Sequence, residues 1–189
     1  MTIREIAKFV KTGYLVREGV KGGSPAEILG LKDIDDFGRL DLLHSSTICL
    51  PYPEKHALKD GEILLSSRGR FVATTFRAGG DKRFFIVPSL FFRISLRNDC
   101  GMLPEYVALY LNSSDGQREI GKFRNPGTVF ALNIKDIEDL ALPRISLAEQ
   151  EKCVRLAQTF FNWQVLQKRQ AELRAKLFNL TVKKIIQHG

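Results

Sequence analysis

From Arg144 to His188 the chain contains neither glycine nor proline, and this run constrains the fold more than any other feature. Pro143 precedes it, and Ser146-Leu147-Ala148-Glu149 reads as a capping box, in which serine and glutamate satisfy backbone N–H groups at a helix start. A helix from Leu147 to Gln187 would be roughly 60 Å long at about 1.5 Å per residue. A compact body built from a chain of this size is only about 40 Å across, from a radius of gyration of roughly 16 Å. Such a helix is expected to protrude. Leu156, Trp163 and Leu177 share one heptad position, with Gln170 and Lys184 interrupting, while Leu166, Leu173 and Leu180 share the other. That is a coiled-coil seam with polar breaks able to fix register. Phe160, Phe161, Phe178, Val182, Ile185 and Ile186 widen its apolar face. A hairpin packed back on the body is the alternative reading, but no turn residue interrupts the run, so pairing with another chain is expected.

Residues 1–145 read as mixed α and β. Thr2-Ile3-Arg4-Glu5 is a second capping box and opens a short helix. Gly61-Glu62-Ile63-Leu64-Leu65-Ser66 reads as a buried strand leaving an Asp-Gly turn. Residues 71–76 and 84–87 flank Ala78-Gly79-Gly80-Asp81-Lys82, a hairpin signal. In 90–96, Leu90, Phe92, Ile94 and Leu96 alternate with Phe91, Arg93 and Ser95, which predicts one dry and one solvated face. Pro104 opens a helix to Asn112 in which Val107, Tyr110 and Leu111 face inward. Asn133-Ile134-Lys135-Asp136 caps another that ends near Leu140.

The three cysteines, Cys49, Cys100 and Cys153, are odd in number and widely spaced, which predicts free thiols in a cytoplasmic protein. No apolar run is long enough to span a bilayer, and the first residues lack a secretory apolar segment. The net charge of +8 is unevenly placed. Residues 33–62 carry seven acids against three bases, residues 63–100 seven bases against two acids, and the tail from Leu147 eight bases against three acids. This polarity is compatible with a polyanionic partner without establishing one.

Catalytic constellations are missing. There is no Gly-x-Gly-x-x-Gly, no phosphate-binding loop, and no acid followed two places on by lysine, as a nuclease pair would require. Asn125-Pro126-Gly127-Thr128 lacks the second proline and aromatic of an amino-methyltransferase motif. His44, His56 and His188 lack metal-ligand spacing, and nothing orients a base for Ser66 or Ser67. The chain is expected to bind rather than catalyse, with no metal of its own.

Four basic, glycine-containing segments are candidates for polyanion binding. Ser66-Ser67-Arg68-Gly69-Arg70 follows the buried strand, and guanidinium forks suit phosphate or a guanine edge. The expected hairpin tip adds Arg77, Lys82 and Arg83. Gln117 to Asn125, with Arg118, Lys122 and Arg124, is the third. Gly13-Tyr14-Leu15-Val16-Arg17 with Lys21-Gly22-Gly23 is the fourth.

The order of motifs resembles a known family. Leu31-Lys32-Asp33-Ile34, Gly38-Arg39-Leu40 and 58–69 (Leu-Lys-Asp-Gly-Glu-Ile-Leu-Leu-Ser-Ser-Arg-Gly) are similar to the target-recognition domain of type I restriction–modification specificity subunits. The resemblance continues through 103–113 (Leu-Pro-Glu-Tyr-Val-Ala-Leu-Tyr-Leu-Asn-Ser) and Gly116-Gln117. It closes with 139–143 (Asp-Leu-Ala-Leu-Pro) and 146–150 (Ser-Leu-Ala-Glu-Gln). It implies an α+β fold: a mixed-sheet target-recognition domain over 1–145, followed by one long protruding coiled-coil helix over 146–189.

In that family two recognition domains and two antiparallel helices set the spacing of a split DNA site, methyltransferase subunits dock along the helices, and a motor-nuclease subunit joins for cleavage. This sequence holds one domain and one helix. The resemblance therefore implies a half-length form that homodimerises through Leu156, Trp163, Leu166, Leu173, Leu177 and Leu180 and reads a symmetric split site. It implies no cofactor on this chain, S-adenosylmethionine belonging to the methyltransferase partner. Tyr14, Arg17, Arg68, Arg70, Lys82, Arg83 and Arg124 are the candidate contacts to double-stranded DNA, while Asp33, Asp60 and Glu105 are expected to cap the scaffold. A coiled-coil adaptor binding protein rather than DNA is the alternative, and it would leave the basic residues scattered. An RNA-binding module lacks its aromatic strand motifs.

Overall fold

The structure, a computed structural model, describes residues 1–16, 23–35, 37–43, 45–123 and 131–188. The chain divides into two compact units, Met1–Glu151 and Lys152–Gly189.

The first unit is built on two small sheets. β1 (Ala7–Thr12), β7 (Phe91–Leu96), β4 (Ile63–Ser66) and β5 (Ala73–Thr75) form an antiparallel sheet in that order. β3 (Ser46–Leu50), β2 (Ser24–Ile28) and β6 (Phe85–Ile86) form a mixed one, with β2 antiparallel to β3 and parallel to β6. This is the α+β architecture expected. β4 is buried throughout and leaves the Asp60-Gly61 turn as its sequence predicts, with Gly61 at φ +85°.

Two expectations need correction. Residues 71–76 and 84–87 do not form a hairpin: β5 pairs with β4, whereas β6 pairs with β2 in the other sheet. Gly79 and Gly80 do turn the chain at positive φ, but the turn crosses between sheets. Residues 90–96 do alternate, yet Phe91 and Arg93 are as buried as Phe92 and Ile94. The face expected to be wet is covered, because Phe91 joins a cluster with Leu29, Leu58, Leu64, Phe76 and Phe85. Burying each such side chain is worth about 1.5–3 kcal/mol.

Arg93 sits in this covered layer, and each of its three side-chain nitrogens is hydrogen-bonded. Its Nε and Nη2 donate to the two oxygens of Glu62 at 2.7 and 2.9 Å, and Nη1 and Nη2 donate to the carbonyls of His56 and Ala57 at 2.7 and 2.8 Å. Desolvation largely offsets the attraction within a buried pair. The arginine's role is therefore geometric, tying residues 56–57 to the strand.

The helices are α1 (Ile3–Ile6), α2 (Pro104–Asn112), α3 (Ser114–Gly121), α4 (Ile134–Asp139) and α5 (Leu147–His188). Thr2 N donates to the Glu5 carboxylate at the start of α1, and Asn133 and Asp136 cap α4 reciprocally. In α2, Val107 and Leu111 are buried with Tyr106 and Ala108, while Tyr110 is half-buried. Backbone bonds from Ile3 N to Leu140 O and Leu142 N to Met1 O join the beginning of the unit to the exit of α4. Ser146 and Glu149 form the expected box at the start of α5.

The second unit is the remainder of α5. Leu156, Trp163, Leu166, Leu173, Leu177 and Leu180 are all exposed along it. Phe160 stacks against both Phe161 and Trp163, each with ring centroids 6.1 Å apart. Thr159 and Thr181 turn their hydroxyls onto carbonyls one turn back, at Arg155 and Leu177. Among the described residues, no helix is long and apolar enough to cross a membrane.

Candidate nucleic-acid interface

The register of the four-stranded sheet decides which loops meet. Thr12 of β1 lies opposite Phe92 of β7, and Ser66 of β4 lies opposite Phe91. The chain leaving β1, the chain leaving β4 and the turn entering β7 thus emerge at one end. Gly13 N donates to Phe91 O at 2.8 Å, Tyr14 N to Val87 O at 2.7 Å and Ser67 N to Leu90 O at 2.7 Å. Arg68 bridges Ala131, with Leu132 N donating to Ser67 O. A side chain at Gly13 would place its Cβ 2.2 Å from Pro88 O, so only glycine fits this close approach.

The loop after β4 is held at several points. Ser66 Oγ donates to Arg70 O at 2.6 Å and accepts from Val72 N at 2.9 Å, which commits that hydroxyl to loop geometry. Gln117 Nε2 donates to Phe71 O at 2.9 Å. Gly69 takes φ +73° at the tip. Arg68 is exposed, and its guanidinium has no partner among the described residues. Arg70 is engaged, donating to Ile34 O at 2.9 Å and Asp35 O at 3.4 Å, so it fastens this loop to its neighbour.

The turn at 78–83 leaves from elsewhere. Ala78 N donates to Asp60 Oδ1, before the opposite end of β4. Lys82 is exposed and unpartnered among the described residues. Arg83 is committed: Nε and Nη2 donate to Asp81 at 2.9 and 2.7 Å, Glu27 lies 3.6 Å away, and the guanidinium sits over the Phe85 ring. Hydrogen bonds from Arg83 hold the Asp81 carboxyl below its ordinary range, and the same bonds push the Arg83 guanidinium up. Arg77 pairs with Glu105.

The third basic segment is helical from Gln117 to Gly121, within α3. Ser113 Oγ accepts from Gly116 N to start α3, Arg118 pairs with Asp115, and Lys122 pairs with Glu119. The serine cap ahead of Asp115 was the available signal. Tyr14 is half-buried, its ring against His56 with centroids 4.6 Å apart and beside Ala26, Leu50 and Ile86. Arg17 and Arg124 lie outside the described residues.

The scaffold roles fall where expected. Asp33 accepts from Gly30 N, Asp60 from Ala78 N, and Glu105 from Arg77. The amides of Asn112, Gln117 and Gln150 are positioning groups that the local sequence does not mark. Amide side chains satisfy backbone groups far away in sequence, which leaves no local spacing to detect. Among the described residues, no group of three or more His, Cys, Asp or Glu could hold a metal.

No family model and no curated protein matches the sequence. The fold does match solved structures. One chain, from work on complex assembly and conformational transition of the type I R-M system, superposes with a TM-score of 0.63 at 16% identity, covering 95% of this chain and 42% of that one. The HsdS subunit from Thermoanaerobacter tengcongensis superposes with a TM-score of 0.65 at 18% identity, covering 93% of this chain and 44% of that one. The chain spans less than half the length of either. Over nearly all of its own length, it carries the fold of a type I restriction–modification HsdS subunit.

Proposed function

We propose that the chain is a double-stranded DNA recognition subunit of a type I restriction–modification system, without catalysis or cofactor of its own. It directs methyltransferase and motor-nuclease partners, which carry the S-adenosylmethionine and cleavage chemistry, to a split, symmetric site. The likeness to the HsdS fold over 95% of the chain carries this reading. Exposed Arg68 at the strand ends, unpartnered among the described residues, supports it, as does Lys82 on a second loop.

A homodimer through Leu156, Trp163, Leu166, Leu173, Leu177 and Leu180 supplies the second recognition unit. Its support is the exposed apolar seam on α5. Sedimentation at micromolar concentration is expected to give a dimer that the pair Leu166→Glu and Leu173→Glu dissociates; a monomer in both cases contradicts it.

The test of the DNA reading is duplex binding as a function of salt. Affinity is expected to fall steeply with salt, and Arg68→Ala to lower the slope by about one unit if Arg68 contacts phosphate. The coiled-coil adaptor is favoured by one observation, that Arg70, Arg77, Arg83 and Lys122 are bonded internally. Salt-independent or absent duplex binding would select it.

A further inference from the structure

Resting on the DNA-recognition reading, we propose that the turn at residues 51–56 is a further DNA contact, in which the Tyr52 phenol and the Lys55 ammonium engage the phosphate backbone. Neither residue is among the basic segments that the sequence singles out.

Tyr52 is the only described non-glycine residue with positive φ, at +56°. L-residues are disfavoured there, and Pro53 further disfavours a helical conformation of the residue before it. The ring does not offset that strain by burial, since Tyr52 is 65% exposed. Lys55 Nζ lies 4.4 Å over its centre, and this ammonium makes no ion pair among the described residues. The conformation therefore presents an aromatic ring and a cation together to solvent.

The base of the turn is firmly built. Pro53 is buried, Lys55 N donates to Tyr52 O, and His56 N donates to Pro53 O. The His56 ring packs on Tyr14, and the buried Arg93 holds the carbonyls of His56 and Ala57. Tyr14 follows β1 at the sheet end from which Ser67 and Arg68 emerge, on the other side of the turn entering β7. A phenol and an ammonium are both donors to phosphate oxygens, and such contacts set orientation on a duplex without reading sequence.

The experiment titrates the full chain with a random-sequence duplex of about 30 base pairs across a range of salt, a probe suited to backbone contacts. Lys55→Ala is expected to reduce the salt slope by about 0.9, so the fall in affinity between about 50 and 200 mM salt shrinks roughly threefold. Tyr52→Gly is expected to weaken binding while keeping or raising the thermal midpoint, because glycine adopts this conformation freely. Wild-type affinity and slope in both variants, with Arg68→Ala impaired, overturns this inference and leaves the recognition reading standing. Absence of salt-dependent binding by the wild-type chain overturns both.

Discussion

The side-chain amide of Asn112 pairs with the backbone of Ala73 as a neighbouring strand would, accepting from Ala73 N at 2.8 Å and donating to Ala73 O at 2.7 Å. β5 is an edge strand flanked by backbone bonds from Ser66 N to Val72 O and from Phe76 N to Glu62 O, and α2 completes the edge at Ala73 through one side chain. Gly38 lies against the pair: a Cβ there would meet the Asn112 amide at 2.3 Å and Ala73 O at 2.5 Å.

Asn112→Ala should therefore leave two buried backbone groups unpaired and cost about 1–3 kcal/mol in urea unfolding. Gly38→Ala, with φ +77° and that overlap, should also destabilise by at least about 1 kcal/mol. Wild-type midpoints in both variants would show that the contact is not maintained.

Gln150 plays a similar part at the root of α5. Fully buried, it accepts from Leu103 N at 2.8 Å and donates to Gly101 O and Ile145 O at 2.9 and 3.0 Å, so one side chain ties the first turn of α5 to the start of α2. Gln150→Ala is expected to cost about 1–3 kcal/mol. It should also speed hydrogen exchange at the Leu103 amide; unchanged exchange there would count against the tie.

These amides mark the limit of what the sequence made legible. Features written locally were readable: the capping boxes at Thr2, Asn133 and Ser146, Pro104 opening α2, the buried β4, and the uninterrupted α5. Pairings between distant segments were not. Ser24-Pro25-Ala26-Glu27-Ile28 and Ser46-Thr47-Ile48-Cys49-Leu50 show no clean alternation that marks β2 and β3, and the groups that cover Phe91 and Arg93, among them Leu29, Phe85 and the carbonyls of residues 56–57, are not adjacent to them in sequence. Among the candidate DNA contacts, Arg68 and Lys82 were free among the described residues, but charge composition could not foresee that Arg70 and Arg83 are held by Ile34 O and Asp81.

Removing one member of the Arg93–Glu62 pair leaves the other charge buried. Arg93→Ala is expected to destabilise by about 3–5 kcal/mol, whereas the double change Arg93→Met with Glu62→Leu should cost much less. A double-mutant cycle in chemical denaturation checks this, and additivity of the two single changes would contradict it.

The cap of α5 gives a pH dependence. Hydrogen bonds from the Ser146 hydroxyl and backbone hold the Glu149 carboxyl below its ordinary value. A depressed carboxyl contributes stability that is present above its unfolded pKa and lost as pH falls through the lower folded one. Fraying of the first turn of α5 should therefore set in on acidification below the ordinary glutamate range of about 4.3, and Ser146→Ala should reduce that dependence. Amide chemical shifts of residues 146–149 across an acid titration follow it; a shift profile identical in the variant would refute the cap.

Selection of bound sequences from a random duplex library, using the chain with the methyltransferase subunits proposed as its partners, tests the central claim most directly. Two copies of one reader related by two-fold symmetry should enrich two identical half-sites, inverted and at a fixed spacing. Enrichment of no sequence at all, or of two unrelated half-sites, would contradict the account.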